Sequence, residues 1–133
     1  MSDKDLRKLP KIELHLHLDC CLSFDVVKKI NPKIDIEAYN KKFKAPSNCS
    51  SVKEYIKCAE YAVDLMQDEK SISLIVEDLF EQLKAENIIY VEIRFAPLLH
   101  CRGELSSKEV VQIVDDICTV SYTHLTLPTI YSV

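Results

Sequence analysis

The 133-residue sequence holds one glycine, Gly103. A multi-turn α/β chain ordinarily places several glycines at helix C-caps and left-handed turns. Asn31, Asn48 and Asn87 are the expected substitutes, because asparagine tolerates positive φ better than most residues. Long apolar runs are missing too: none approaches the ~18 residues needed to cross a bilayer. The charged opening, Met-Ser-Asp-Lys-Asp-Leu-Arg-Lys, has no signal-peptide apolar region. The expectation is a cytoplasmic protein with no membrane partner. Positive charge is not in excess, since 17 Lys and Arg against 21 Asp and Glu leave a net charge of −4. That balance supplies no basic field for nucleic acid. The six cysteines, at 20, 21, 49, 58, 101 and 118, include no Cys-x-x-Cys pair. With no export signal they are expected as free thiols in a reducing compartment. Apolar content is ample, at 47% hydrophobic. It excludes a disordered chain, and the length suits about one domain.

Hydrophobic periodicity divides the chain. From Lys11 to Leu18 the residues alternate, with Ile12, Leu14, Leu16 and Leu18 on one face and Lys11, Glu13, His15 and His17 on the other. Period 2 directly after Pro10 predicts a strand. Ser23 offers an N-cap to a short helix through Val26, Val27 and Ile30, ended by Pro32. Lys33 to Ser50, mixed in Lys, Asn, Pro and Ser, is expected as an irregular excursion. Ser51-Val-Lys-Glu54 fits a capping box leading into a stripe of Val52, Tyr55, Ile56, Ala59, Val63 and Met66. Ile72, Ile75, Val76, Leu79, Phe80 and Leu83 repeat the helical spacing, with Glu77, Asp78, Glu81, Lys84 and Glu86 on the outer face. Ile88 to Phe95 is β-branched and aromatic enough for a buried strand. Ser106-Ser-Lys-Glu109 forms a second capping box before Val110, Ile113, Val114 and Ile117. Two strands joined by a helical crossover are expected to be parallel. This is the start of an α/β fold, and a two-stranded sheet leaves its edges unpaired.

The last fourteen residues, Val120 to Val133, contain no Asp, Glu, Lys or Arg. They resemble the translated read-through of a transposase-type sequencing adapter, most closely over Val120 to Thr129. That implies a native reading frame lost near Thr119, and two units, 1–119 and a non-native tail 120–133. His124 and the tail tyrosines are therefore kept out of any site.

The chemistry-bearing signal is His15-Leu16-His17. On a strand, residues i and i+2 share a face, so both imidazoles project into one space. That spacing suits two ligands of a single metal ion. Asp19 keeps the same parity at the strand's C-terminal end, where α/β folds bind ligands. The same residues also describe an ordinary solvated strand face, and a bare His-x-His leaves the two readings open. His100 and Cys101 follow the second strand, where a packed or surface histidine is the simpler expectation. Glu92 and Arg94 share a face of that strand and are expected to pair if desolvated.

The string LPKIELHLHLD, from Leu9 to Asp19, resembles the opening of adenosine deaminases of the amidohydrolase superfamily. YVEIRFAP, from Tyr90 to Pro97, is similar to that family's second barrel strand. The resemblance spans residues 7 to 119, about the first third of a family member. It implies the N-terminal portion of a (β/α)8 TIM-type barrel, incomplete here because a whole barrel needs roughly 200 residues or more. It further implies that His15 and His17 bind a catalytic Zn2+ and that Asp19 contacts the ribose of a purine nucleoside. Val52, Tyr55, Ile56 and Ala59 are implied as an apolar lid, although the same stripe also reads as core packing.

The implied reaction is hydrolytic deamination: water acidified by zinc adds to C6 of the purine, and ammonia leaves, turning adenosine (and 2'-deoxyadenosine) into inosine. The family's later His ligand, Glu, second His and Asp lie on strands that this chain lacks, so the polypeptide by itself is expected to be inactive. Asp19 is followed by Cys20-Cys21 where the family continues with glycine. Cys20 is thus a departure inside the motif and an alternative soft ligand, though its parity points away from the histidines. Competing readings are a deaminase of adenine or of adenine nucleotides, a His-x-His phosphoesterase, and a non-catalytic α/β binding module. A phosphoesterase predicts further His and carboxylate ligands within the next few dozen residues, and these are absent. Oligomeric state is not legible.

Overall fold

The structure is a computed structural model that describes residues 3–121. The proposed tail, with His124, lies outside the described residues from position 122 onward. In chain order the elements are α1 (Asp3–Lys8), β1 (Lys11–His17), a 3-10 turn (Leu18–Cys20), α2 (Phe24–Ile30), α3 (Ile36–Phe43) and α4 (Val52–Leu65). They continue with α5 (Glu69–Ala85), β2 (Ile88–Arg94), a second 3-10 turn (Pro97–His100) and α6 (Ser107–Ser121). β1 and β2 form a parallel two-stranded sheet among the described residues. Both strands and the long helices fall where periodicity places them.

The helices start where the sequence supplies caps. Ser23 Oγ accepts from the Val26 N–H at 3.2 Å, and Asp68 Oδ1 accepts from the Ser71 N–H at 2.9 Å. The Ser106–Glu109 box closes in both directions, Glu109 accepting from the Ser106 N–H at 2.8 Å. The Ser51 box closes differently. Ser51 Oγ accepts from the Glu54 N–H, but the Glu54 carboxylate reaches one residue further back, to the N–H and hydroxyl of Ser50. Asn87 is the one non-glycine residue with positive φ among those described, at 53°. It turns the chain from α5 into β2, and its side-chain amide donates to the Lys8 carbonyl at 2.6 Å. Asn31 and Asn48 do not take the left-handed role expected of them. Gly103 is needed for close approach instead: a Cβ there would meet the Gln67 carbonyl oxygen at 2.8 Å.

Two expectations are corrected. Lys33 to Ser50 is not irregular throughout, because Asp35 caps α3 by accepting from the Ala38 N–H at 2.8 Å. Tyr39 and Phe43, on one face of α3, then stack at 5.5 Å between ring centroids. Asp78 is not an outer-face residue. It is half-buried and accepts from the Ser23 hydroxyl at 2.6 Å, the Ser23 N–H at 3.2 Å and Gln82 Nε2 at 2.8 Å, tying α5 to the cap of α2.

The core lies between the helices and one side of the sheet. Ile72, Ile75, Val76, Leu79 and Phe80 of α5 pack with Val91 and Ile93 of β2, Val26 and Val27 of α2, and Val110 and Val114 of α6. The apolar row of β1 behaves differently: Ile12 is 60% exposed and Leu14 52% exposed. Only Leu16 and Leu18 of that row join the core. No helix among the described residues is long and apolar enough to cross a membrane.

Candidate metal centre and adjoining pocket

The register of β1 explains how its polar row is aimed. Glu13 pairs with Val91 but Leu16 with Ile93, so β1 carries one extra residue between them. A bulge of this kind loosens the ladder and re-aims side chains. At the bulge the His15 N–H donates to the Glu13 carboxylate at 3.1 Å. The imidazoles of His15 and His17 emerge on the same side, ring centroids 5.0 Å apart and inclined at 33°. Their Nε2 atoms are 3.0 Å apart. Two neutral imidazoles at that distance need one Nε2 to carry the proton and the other to accept it. Two nitrogens on a tetrahedral zinc, each about 2.0–2.1 Å from the metal, stand about 3.4 Å apart. The observed 3.0 Å is within about half an ångström of that spacing.

The chain leaves β1 through the 3-10 turn, which buries Asp19 to 7% exposure. Its Oδ1 lies 4.0 Å from His17 Nδ1, which places a carboxylate near the His17 ring without a direct hydrogen bond. Among the described residues no group of three or more His, Cys, Asp or Glu is placed to hold a metal ion. Among the described residues the close pair at this strand end is that of the two imidazoles. Cys20 does not extend it. Burial, then the neighbouring Asp19 carboxylate, push its thiol up to about 12, and its Sγ sits 3.7 Å from Asp19 Oδ1. Burial likewise pushes Cys21 up to about 11. All six cysteines are free thiols.

Asp19 also lines a cavity of about 100 Å3 whose wall includes Cys20, Phe43, Tyr55, Cys58 and Ala59. Of the four residues implied as a lid, Tyr55 and Ala59 line this cavity. Val52, 74% exposed, and Ile56 stand outside its wall on the open side of α4. Phe43 reaches the cavity only through the packing of α3 on α4, whereas Cys58, three residues beyond Tyr55 on α4, is a cavity residue outside the apolar stripe read from the sequence.

His100 is fully buried. Its Nδ1 donates to the Met66 carbonyl at 3.2 Å, and its ring lies 6.2 Å from that of Phe95. Desolvation lowers its pKa, while the charge of Asp19 pulls the other way, so His100 is a packed residue behind the site. Glu92 and Arg94 pair at 3.6 Å, and Tyr90 donates to Glu92 at 3.1 Å.

A family model described as adenosine deaminase matches residues 10–127. The chain belongs to the adenosine deaminase family. Adenosine deaminases of Clostridium botulinum and Clostridium perfringens are each 37% identical over 117 residues, covering 83% of this chain and 35% of the relative. The chain thus spans about a third of the length of the curated relatives it matches. Among solved structures, an adenine deaminase from Arthrobacter aurescens superposes with a TM-score of 0.73 at 19% identity, over 92% of this chain and 38% of that one. Arabidopsis ADAL, solved with IMP, gives 0.66 at 21% identity, over 96% and 40%. These structures establish the fold, the N-terminal, incomplete portion of a TIM-barrel-like amidohydrolase.

Proposed function

We propose that residues 1–119 are the N-terminal part of a zinc-dependent hydrolase that deaminates adenosine, and 2'-deoxyadenosine, to inosine and ammonia, and that 120–133 is a foreign tail. The observation carrying this reading is the 3.0 Å approach of His15 Nε2 to His17 Nε2 at the end of the strand where the family motif lies. Those two residues would hold the metal, which supplies Lewis acidity that brings deprotonation of water into the neutral range. Asp19, held by the 3-10 turn, faces the cavity as a hydrogen-bond acceptor for a sugar hydroxyl. Tyr55 and Ala59 cover one wall and exclude water from it. Glu13 fixes the backbone of His15, and the Asp19 carboxylate lies 4.0 Å from His17 Nδ1, close enough to favour a positive charge there.

Two imidazoles are one protein ligand short of an ordinary catalytic zinc site, so this chain alone is expected to be inactive. The test is a chimera in which residues 10–119 replace the matching segment of the Clostridium botulinum adenosine deaminase. The expected product is an enzyme with one zinc per chain that forms inosine, and His17→Ala in that chimera loses both. A folded, zinc-loaded chimera that leaves adenosine untouched would overturn the reading.

A further inference from the structure

Two thiols, Cys20 and Cys58, stand in the wall of the same cavity of about 100 Å3, beside Asp19. One belongs to the 3-10 turn after β1 and the other to the middle of α4, and the turn packs directly on that helix. Both residues can also be reached from outside. Cys20 is exposed and borders an open groove between α2 and α3, while half-buried Cys58 borders another between α3 and α4. Cys21 follows Cys20 in sequence but stands outside the wall of the shared cavity. Burial, the largest cause, and the charges of Asp19, Cys21 and Cys58 push the Cys20 thiol up to about 12. Cys58 is thus within electrostatic reach of Cys20. The reduced pair also lacks the thiolate stabilisation that keeps some dithiols reduced.

We propose that Cys20 and Cys58 are a thiol–disulfide pair, joined by reaction with a small-molecule disulfide such as oxidised glutathione. The bond ties the 3-10 turn that carries Asp19 to α4 and narrows the cavity between them. It requires only the two sulfurs and stands apart from the nucleoside reading of that cavity. Cys20 is held as the thiol, so the Cys58 thiolate makes the first attack. Its sulfur bonds to one glutathione sulfur, the S–S bond of the oxidant breaks, and a glutathione thiolate leaves. Cys20 then loses its proton, attacks the Cys58 sulfur and displaces the second glutathione. The protons that the two cysteines release are taken up by the two glutathione thiolates. The chain loses two hydrogens and two electrons, and one small disulfide becomes two thiols.

The experiment incubates the 133-residue chain with excess oxidised glutathione, quenches with acid and maps its peptides by mass spectrometry. The Cys20 and Cys58 thiols should disappear together, with their peptides joined and no glutathione left on either. Cys20→Ser should stop after the first step and keep one glutathione on Cys58. Cys58→Ser should leave Cys20 a free thiol under the same conditions. The oxidised chain should unfold at a higher urea concentration than the reduced chain, because the link closes a loop in the unfolded state. Oxidation in urea should scatter the links, since the pairing depends on the folded contact between turn and helix. A parent chain that stays reduced, retains glutathione at either cysteine, or joins Cys20 to another thiol overturns the pair. So does the same link formed as readily in urea, or one that lowers the urea midpoint.

Discussion

His15 Nε2 and His17 Nε2 lie 3.0 Å apart on one side of β1, separated in sequence by Leu16, which points back toward the core. The relationship depends on strand parity and on the bulge between Glu13 and Leu16. It concentrates two good metal donors at a solvent-open strand end and leaves stability to other residues.

Asp78 is one of those residues. It accepts three hydrogen bonds, two from Ser23 and one from Gln82. Asp78→Ala strips the cap of α2 of its anchor and is expected to cost about 2–4 kcal/mol. Urea unfolding of the variant beside the parent chain reads this directly. A change under about 0.5 kcal/mol, the size of an ordinary surface substitution, would return Asp78 to the outer face of α5.

Acid should weaken the fold through His100. Its folded pKa is lowered from the ordinary 6.5 by burial, so between the two values the unfolded chain binds the extra proton. The stabilisation is complete above about 6.5 and is lost as pH falls toward the lower, folded value. Melts of parent and His100→Gln across this window should show the parent falling more steeply with acidification. Parallel curves would remove His100 as the source.

Cys118 is buried on α6, and burial raises its thiol from 9.0 to about 12. At pH near 8 its thiolate fraction, and with it alkylation by iodoacetamide, should fall about a thousandfold below that of an ordinary thiol. Mass spectrometry of labelled peptides should find Cys118 unmodified in the folded chain and modified in urea. Equal labelling in both states would contradict the packing of α6.

Ile12 and Leu14 expose an apolar row on a sheet with only two strands among the described residues. Unpaired edges beside such a row favour self-association. Light scattering of the parent should rise with concentration, and Ile12→Lys/Leu14→Lys should suppress the rise. An equally sticky double variant would place the association elsewhere.

Elements whose burial follows a single period were legible in the sequence. α5 presents an unbroken apolar stripe, and the alternation of β1 put His15 and His17 on one face before any coordinates. α3 was hidden because Asp35, its cap, sits among Lys, Asn and Pro, and its apolar face amounts to little more than Tyr39 and Phe43. The inward role of Asp78 is not legible because a helical wheel records charge, whereas its partner Ser23 lies 55 residues away. The cavity is only half visible in the sequence: Asp19 and Tyr55 are local to motif and stripe, Cys58 lies beside Tyr55 on α4 but off its apolar stripe, and Phe43 arrives by the packing of α3 on α4.

The central claim, that His15 and His17 share one divalent cation, is tested most directly by titrating Zn2+ into this chain and following the imidazole nitrogen resonances of the two residues. Both Nε2 signals should move together with a single affinity, and His15→Ala should abolish the response at His17. Zinc that leaves both rings unmoved, or that shifts one independently of the other, would contradict it.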